Sequence, residues 1–388
     1  VIEVANRLQD VQEYYFSRKL REIDEMNRTG TKVINLGIGS PDLPPHPDVI
    51  EVLRTESAKP NTHAYQSYKG APAMRNAMAN WYKTWYGVTL DPNTQILPLM
   101  GSKEGITHIC MTYLNDGDAA LVPNPGYPAY ASAVKVAGGK TLTFALKEEN
   151  NYFPDFNELT QLVKNNSNVK LLFVNYPNMP TGQLPTREMF NELVAWASEH
   201  KVLIVHDNPY SFILNEHPIS IMASPGAMEV ALELNSLSKS HNLAGWRVGM
   251  LIGTEKRLLE VLRFKSNLDS GMFLALQLAA AKALELPATW YEEVNAVYRN
   301  RRELAFNLLS LLGCTFSRSQ AGMFVWASVP ATSADGFALA DDILSKARVF
   351  ITPGGIFGSQ GKGYLRISLC SPVEVLEEAM ERINDSKN

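Results

Sequence analysis

The sequence predicts an α/β fold: a mostly parallel sheet covered by helices on both faces, followed by a smaller α+β domain. Two patterns carry that expectation. From Gln95 to Ile252, short runs that are apolar almost throughout alternate with amphipathic helical stretches, as strands buried on both faces and joined by crossover helices do. From about Glu255 the chain changes to long helices and then to sparser strands and helices. With 388 residues, 45% of them hydrophobic, it can fill one large core and a smaller one. The expected division is an arm and part of the small domain over 1–45, a large domain over 46–285 and a C-terminal small domain over 286–388.

Taken in order, residues 1–32 are charged and helix-prone, and Val33-Ile34-Asn35-Leu36 then leads into Gly37-Ile38-Gly39-Ser40-Pro41-Asp42. That Gly-x-Gly looks like the start of a dinucleotide fingerprint. The third glycine is missing, however, and Pro41, Pro44, Pro45 and Pro47 prevent the helix that would receive a pyrophosphate. What is left is an extended loop whose bare backbone can approach a ligand. Helices are expected at 47–58 and 71–86, separated by His63-Ala64-Tyr65-Gln66-Ser67-Tyr68-Lys69-Gly70. Strands follow at 96–100, 119–122, 141–144, 171–174, 202–206, 231–234 and 248–252, with helices at 102–114, 127–136, 156–163 and 186–200 between them. The second half predicts helices at 255–264, 274–286, 291–312, 337–347 and 372–383, and strands at 324–327, 349–351 and 364–368.

Composition narrows the function classes. A formal net charge of −4 without a basic run argues against a nucleic-acid partner. Cys110, Cys314 and Cys370 are scattered and odd in number, which suits free thiols in a reducing, cytoplasmic setting. Val1-Ile2-Glu3-Val4-Ala5-Asn6-Arg7 has no basic start before an apolar block, so no secretory signal is expected, and without an initiating Met the numbering can begin inside the gene product. Leu274–Leu286, interrupted by Gln277 and Lys282, is too short to span a bilayer, so no membrane association is expected. His63, His108 and His241 lack metal-like spacing and read as solvent-facing or supporting residues, so no metal is expected.

The chemistry concentrates in loops that follow predicted strands. Gly101-Ser102-Lys103 opens a helix, whose backbone N–H groups suit a phosphate, although a simple helix cap at Ser102 explains this loop equally well. Tyr127 stands at the next strand end, where a ring can stack on a heterocycle or merely pack. Asp207 ends a buried strand and needs a cationic partner, and Tyr210 lies three residues on. Ser236-Leu237-Ser238-Lys239 then places an amine among hydroxyls, with Arg247 eight residues further. An amine so placed can condense with an aldehyde while Ser and Arg hold a phosphate, which points to pyridoxal phosphate.

In this order, from about Asn35 to Arg366, the motifs resemble those of the fold-type I pyridoxal-phosphate enzymes, specifically the class I and II aminotransferases of the aspartate aminotransferase superfamily. The resemblance implies that Lys239 carries the cofactor and moves the proton. It also implies that Asp207 pairs with the ring nitrogen, that Tyr210 donates to the ring oxygen and that Tyr127 stacks on the ring. Ser102, Lys103, Ser236, Ser238 and Arg247 would hold the phosphate. Tyr65 would reach the phosphate of a neighbouring subunit, making the active unit a homodimer with shared sites. Arg366 would grip the substrate's α-carboxylate, with Ile38 and Gly39 closing over it.

One position departs from the family pattern. An Asn usually precedes Pro-Thr-Gly and also bonds the ring oxygen, but Met179 stands there. A thioether donates no hydrogen bond, so either Asn178 takes over or Tyr210 acts alone. The function implied is ping-pong transfer of an amino group from an L-amino acid to a 2-oxo acid. A β-lyase or cyclising synthase of the same fold shares these residues. A non-catalytic sensor that binds the cofactor is disfavoured by Arg366.

Overall fold

The computed structural model describes residues 2–5, 15–30 and 32–387. The helix-prone N-terminal stretch lies partly outside them, and its described part is the helix Tyr15–Arg28. The strands in chain order are β1 (Ile34–Asn35), β2 (Ile96–Leu99), β3 (Ala119–Asn124), β4 (Lys140–Ala145), β5 (Val169–Asn175), β6 (Leu203–Asp207), β7 (Ala231–Ser236), β8 (Gly249–Ile252), β9 (Phe324–Ser328), β10 (Val349–Phe350), β11 (Thr352–Pro353) and β12 (Tyr364–Ser368). The strand expected at 349–351 is split in two at Ile351.

Seven strands form one sheet in the order β2-β8-β7-β6-β5-β3-β4. Neighbours pair in parallel except at β8, which runs antiparallel to both β2 and β7. Alternate residues of each strand feed opposite cores, which explains runs that are apolar throughout. Leu171 and Phe173 of β5 pack with Ile106, Ile109 and Val134 from the helices Ser102–Tyr113 and Pro128–Val136. Leu172 and Val174 join the core that holds Met74, Met78 and Trp81 of the helix Pro72–Tyr86 and Phe190 and Leu193 of Arg187–His200. The reversal of β8 matters for function. Its first residue, Gly249, pairs with Leu99 and Ser236, so the turn carrying Arg247 lies beside the carboxyl ends of β2 and β7.

A second sheet has the order β11-β12-β9, and β1 pairs in parallel with β10. Leu36 donates to the Phe350 carbonyl and accepts from the Ser368 amide, so the loop 37–42 springs from this smaller sheet towards the larger one. Its glycines are sterically required. A Cβ at Gly37 would lie 2.4 Å from Phe350 Cε1, and one at Gly39 would lie 2.3 Å from Phe324 Cζ. Arg301, on the long helix Ala288–Leu311, grips Asp42 with two bonds of 2.6 and 2.7 Å and fixes the loop's far end. Among the described residues no helix is long and apolar enough to cross a membrane.

Candidate active site

The carboxyl ends of β2, β3, β5, β6 and β7 open into a cavity of about 460 Å³, lined by Ser102, Lys103, Tyr127, Asn175, Asp207, Tyr210, Ser236, Ser238, Lys239 and Arg247 on the side of the larger sheet. Ile38, Gly39, Met179, Phe324, Phe357 and Arg366 line the other side. Of the residues expected from sequence, Tyr65 and Asn178 do not reach it.

The anion end is built from backbone. Gly101 caps the helix Ser102–Tyr113 with φ of 88°, so Ser102 is the first helical residue and not the cap. A Cβ at Gly101 would sit 2.0 Å from Arg247 Nη2, so only glycine lets the guanidinium reach this turn. Arg247 itself is held by bonds to Ser238 Oγ and the Ala244 carbonyl, at 3.3 and 2.9 Å. Ser236 Oγ accepts from the Ser238 amide and so fixes the turn that presents Lys239. Helix N–H groups, hydroxyls and a guanidinium converging on one point suit a phosphate dianion.

Asp207 ends β6 and is buried. Its Oδ2 accepts a 2.8 Å bond from the Tyr130 hydroxyl, while Oδ1 is buried with no hydrogen-bond partner. Burial pushes this carboxyl up from 3.8 to about 6, against the Tyr130 bond and the nearby His206 charge, which lower it. A protonated ring nitrogen would satisfy the orphaned oxygen, so the residues present fit pyridoxal phosphate. The cost is measurable on protein prepared without cofactor. The folded chain holds this proton more tightly than the unfolded one. The Asp207 contribution to stability is therefore fullest below about pH 4 and falls by about 3 kcal/mol as pH rises through 6. Urea denaturation of wild type and Asp207→Asn across that range should differ by this slope.

Lys239 is half-buried on the short helix Leu237–Ser240, and its Nζ donates a 2.6 Å bond to the Gly39 carbonyl. Burial, with smaller effects from Arg366 and Arg247, holds the amine below the usual lysine value, favouring its neutral, nucleophilic form. Burial pushes the Tyr210 phenol up, so it stays a donor, and its ring meets Phe324 edge-on at 5.9 Å. Arg366 is buried between two aromatic rings, its Cζ 3.9 Å from the Phe324 centroid and 4.6 Å from that of Phe357. Its Nη2 donates to the Gly37 carbonyl at 2.7 Å and its Nη1 to Met179 Sδ at 3.3 Å.

Asn178 corrects the sequence reading. Its side chain donates to the Asn175 carbonyl and accepts from Thr181, so it is spent inside its own loop. Asn175, four residues before Met179, lines the cavity instead; it donates to the Asp207 carbonyl at 2.6 Å and accepts from the Met179 amide. Tyr130 was also missed, because its place on an amphipathic helix reads as core. Tyr127 meets it edge-on at 5.5 Å, with its own ring towards the cavity. His241 is not solvent-facing: it is buried against Tyr291 and Ser240, and burial pulls it down to about 3. His108, Glu104 and Asp269 bring ligand atoms within 4.8 Å of one another, a clustering the histidine spacing did not suggest. Lys265 already neutralises Asp269 with bonds of 2.7 and 2.8 Å.

The family model for aminotransferase class I and II matches residues 31–383. An LL-diaminopimelate aminotransferase from Aquifex aeolicus is 40% identical over 100% of both chains, and one from Oleidesulfovibrio alaskensis is 41% identical over 98% of both. Among solved structures, substrate-bound BacF from Bacillus subtilis is 36% identical with a TM-score of 0.94, covering 99% of this chain and 98% of that one. A mutant aspartate aminotransferase of Thermus thermophilus is 25% identical with a TM-score of 0.91 over the full length of both. The chain belongs to the class I and II aminotransferases, enzymes of the aspartate aminotransferase fold that use pyridoxal phosphate to move an amino group from an amino acid to a 2-oxo acid.

Proposed function

We propose that this chain is the subunit of a cytoplasmic homodimer whose amino donor is LL-diaminopimelate, and that the cavity residues described above carry its reaction. The observation that supports the site is the convergence in one cavity of the Lys239 amine, the orphaned Asp207 oxygen and the Arg366 guanidinium. Full-length identity to two aminotransferases named for LL-diaminopimelate supports the donor. Pyridoxal phosphate, when bound, supplies an aldehyde for the amino group and a ring that accepts the electron pair released at the substrate's Cα. Ser102 and Lys103 through their amides, with Ser236, Ser238 and Arg247, hold the phosphate. Asp207 pairs with the ring nitrogen, Tyr127 stacks on the ring and Tyr210 donates to the ring oxygen. Arg366 binds the α-carboxylate, which replaces the Gly37 carbonyl as its acceptor. Nζ of Lys239 then takes the proton from Cα. The large domain over 46–285 carries the cofactor, and the segments 1–45 and 286–388 supply the closing side.

Tyr65 is 90% exposed, and Tyr68, Leu268 and Phe273 are exposed in the neighbouring loops. His63 stacks on Phe273, and Gly271 packs against the Gln66 carbonyl, so these loops form one surface. Covering that surface with a second copy would bring Tyr65 to the partner's phosphate. Tyr65→Phe should weaken cofactor binding about tenfold, as loss of one charge-assisted bond does. Cofactor release by dilution, followed by absorbance, reads that change.

The lining around Arg366 is apolar, from Ile38, Phe324, Phe357 and Met179, and this favours a second reading in which the donor has an apolar side chain. A half-reaction panel separates the two. LL-diaminopimelate should discharge the cofactor's absorbance at least about tenfold more efficiently than phenylalanine, leucine or aspartate, a difference of ~1.4 kcal/mol in transition-state binding. The reverse order would replace the donor and leave the site assignments standing.

A further inference from the structure

His206 and Glu233 form a wholly buried pair directly behind Asp207, and no step of the transfer touches them. They are register partners on β6 and β7, so their side chains leave the sheet on the same face. His206 Nδ1 lies 2.8 Å from Glu233 Oε2, and Nε2 lies 3.0 Å from the Tyr176 carbonyl. A carbonyl only accepts, so Nε2 carries a hydrogen. Glu233 meets further donors in the Tyr82 hydroxyl at 2.7 Å, the Ser220 hydroxyl at 2.8 Å and the Ile221 amide at 3.2 Å. Ser220 Oγ accepts from the Met222 amide and Tyr82 from Asn235, so both hydroxyl hydrogens are directed at the carboxylate. A carboxyl surrounded by donors is held as the anion, and an anion facing Nδ1 requires a hydrogen there too.

Asp207 is the next residue and points to the opposite face, so the imidazole ring lies behind the acid that faces the cofactor. Among the described residues, the titratable groups facing Asp207 from the cavity side are Tyr130 and Tyr210, phenols that burial keeps neutral, and those facing His206 are Glu233 and, through it, Tyr82. We propose that His206, fixed as an imidazolium by Glu233 and the Tyr176 carbonyl, is a positioning residue that keeps Asp207 anionic and so ready to pair with the cofactor's ring nitrogen. This rests on the assignment of Asp207 to that nitrogen. The positive charge of His206 is one of the two influences that hold the buried acid down, the Tyr130 bond being the other.

The test is the pH dependence of cofactor affinity, read from the bound chromophore between pH 5.5 and 8.5, in the wild-type enzyme, Glu233→Gln, His206→Gln and Asp207→Asn. Affinity in the first two variants should match the wild type at alkaline pH and fall progressively below it, about twofold at pH 7 and about fivefold at pH 6, as for a midpoint raised from about 6 by about one unit. An unshifted midpoint, or an equal loss at every pH, would overturn the proposal. Asp207→Asn that bound with the wild-type affinity and profile would instead remove the assignment on which it rests. A measurement on the wild-type holoenzyme needs no variant to fold: in ¹⁵N-histidine NMR, one histidine should show hydrogens on both ring nitrogens. A spectrum in which every histidine has an unprotonated ring nitrogen would contradict it.

Discussion

Lys239→Ala is expected to lower transamination by about a thousandfold or more, because in the proposed reaction one amine both carries the cofactor and moves the Cα proton. The structure explains why no other amine should substitute. Lys103 also lines the cavity, but it is assigned to the phosphate end, next to the helix start at Ser102. Lys239 alone among the cavity's lysines is bonded to the Gly39 carbonyl, on the loop that faces Arg366. Pre-steady-state mixing with an amino donor should show the wild-type absorbance change within the turnover time and a far slower change in the variant. An external amine such as methylamine should restore part of the rate, since it can move the proton without carrying the cofactor.

Arg366→Ala should raise KM for every α-amino acid and lower kcat/KM by about 10²–10³-fold, or ~3–4 kcal/mol, the worth of a buried bidentate carboxylate contact. Arg366→Lys should recover little. The aromatic rings at 3.9 and 4.6 Å, the Gly37 carbonyl and Met179 Sδ all fit a planar fork, and a lysine ammonium would lose most of those contacts. Amines lacking the carboxylate should react equally with wild type and variant, which identifies the contact being lost.

The strands of the larger sheet were legible because burial on both faces leaves an apolar run that turn residues punctuate. The direction of β8 was not, since an apolar run reads the same either way, and that reversal is what brings Arg247 to Gly101. Lys239, Asp207 and Tyr210 could be placed because each follows a predicted strand and bears a reactive group. Asn175 and Asn178 are chemically alike and three residues apart, so only the fold of their loop decides which faces the cavity. Phe324 and Phe357 come from the smaller sheet and its loops, and nothing local links them to Arg366. The His206–Glu233 pair is invisible in sequence because it depends on the register of β6 with β7.

Borohydride reduction of the holoenzyme fixes the cofactor to whichever amine carries it, and peptide mapping by mass spectrometry then locates it. The pyridoxyl phosphate group is expected on Lys239, in the peptide containing Ser236 and Ser238; a label on Lys103 or on any lysine outside the cavity would overturn the role proposed for Lys239.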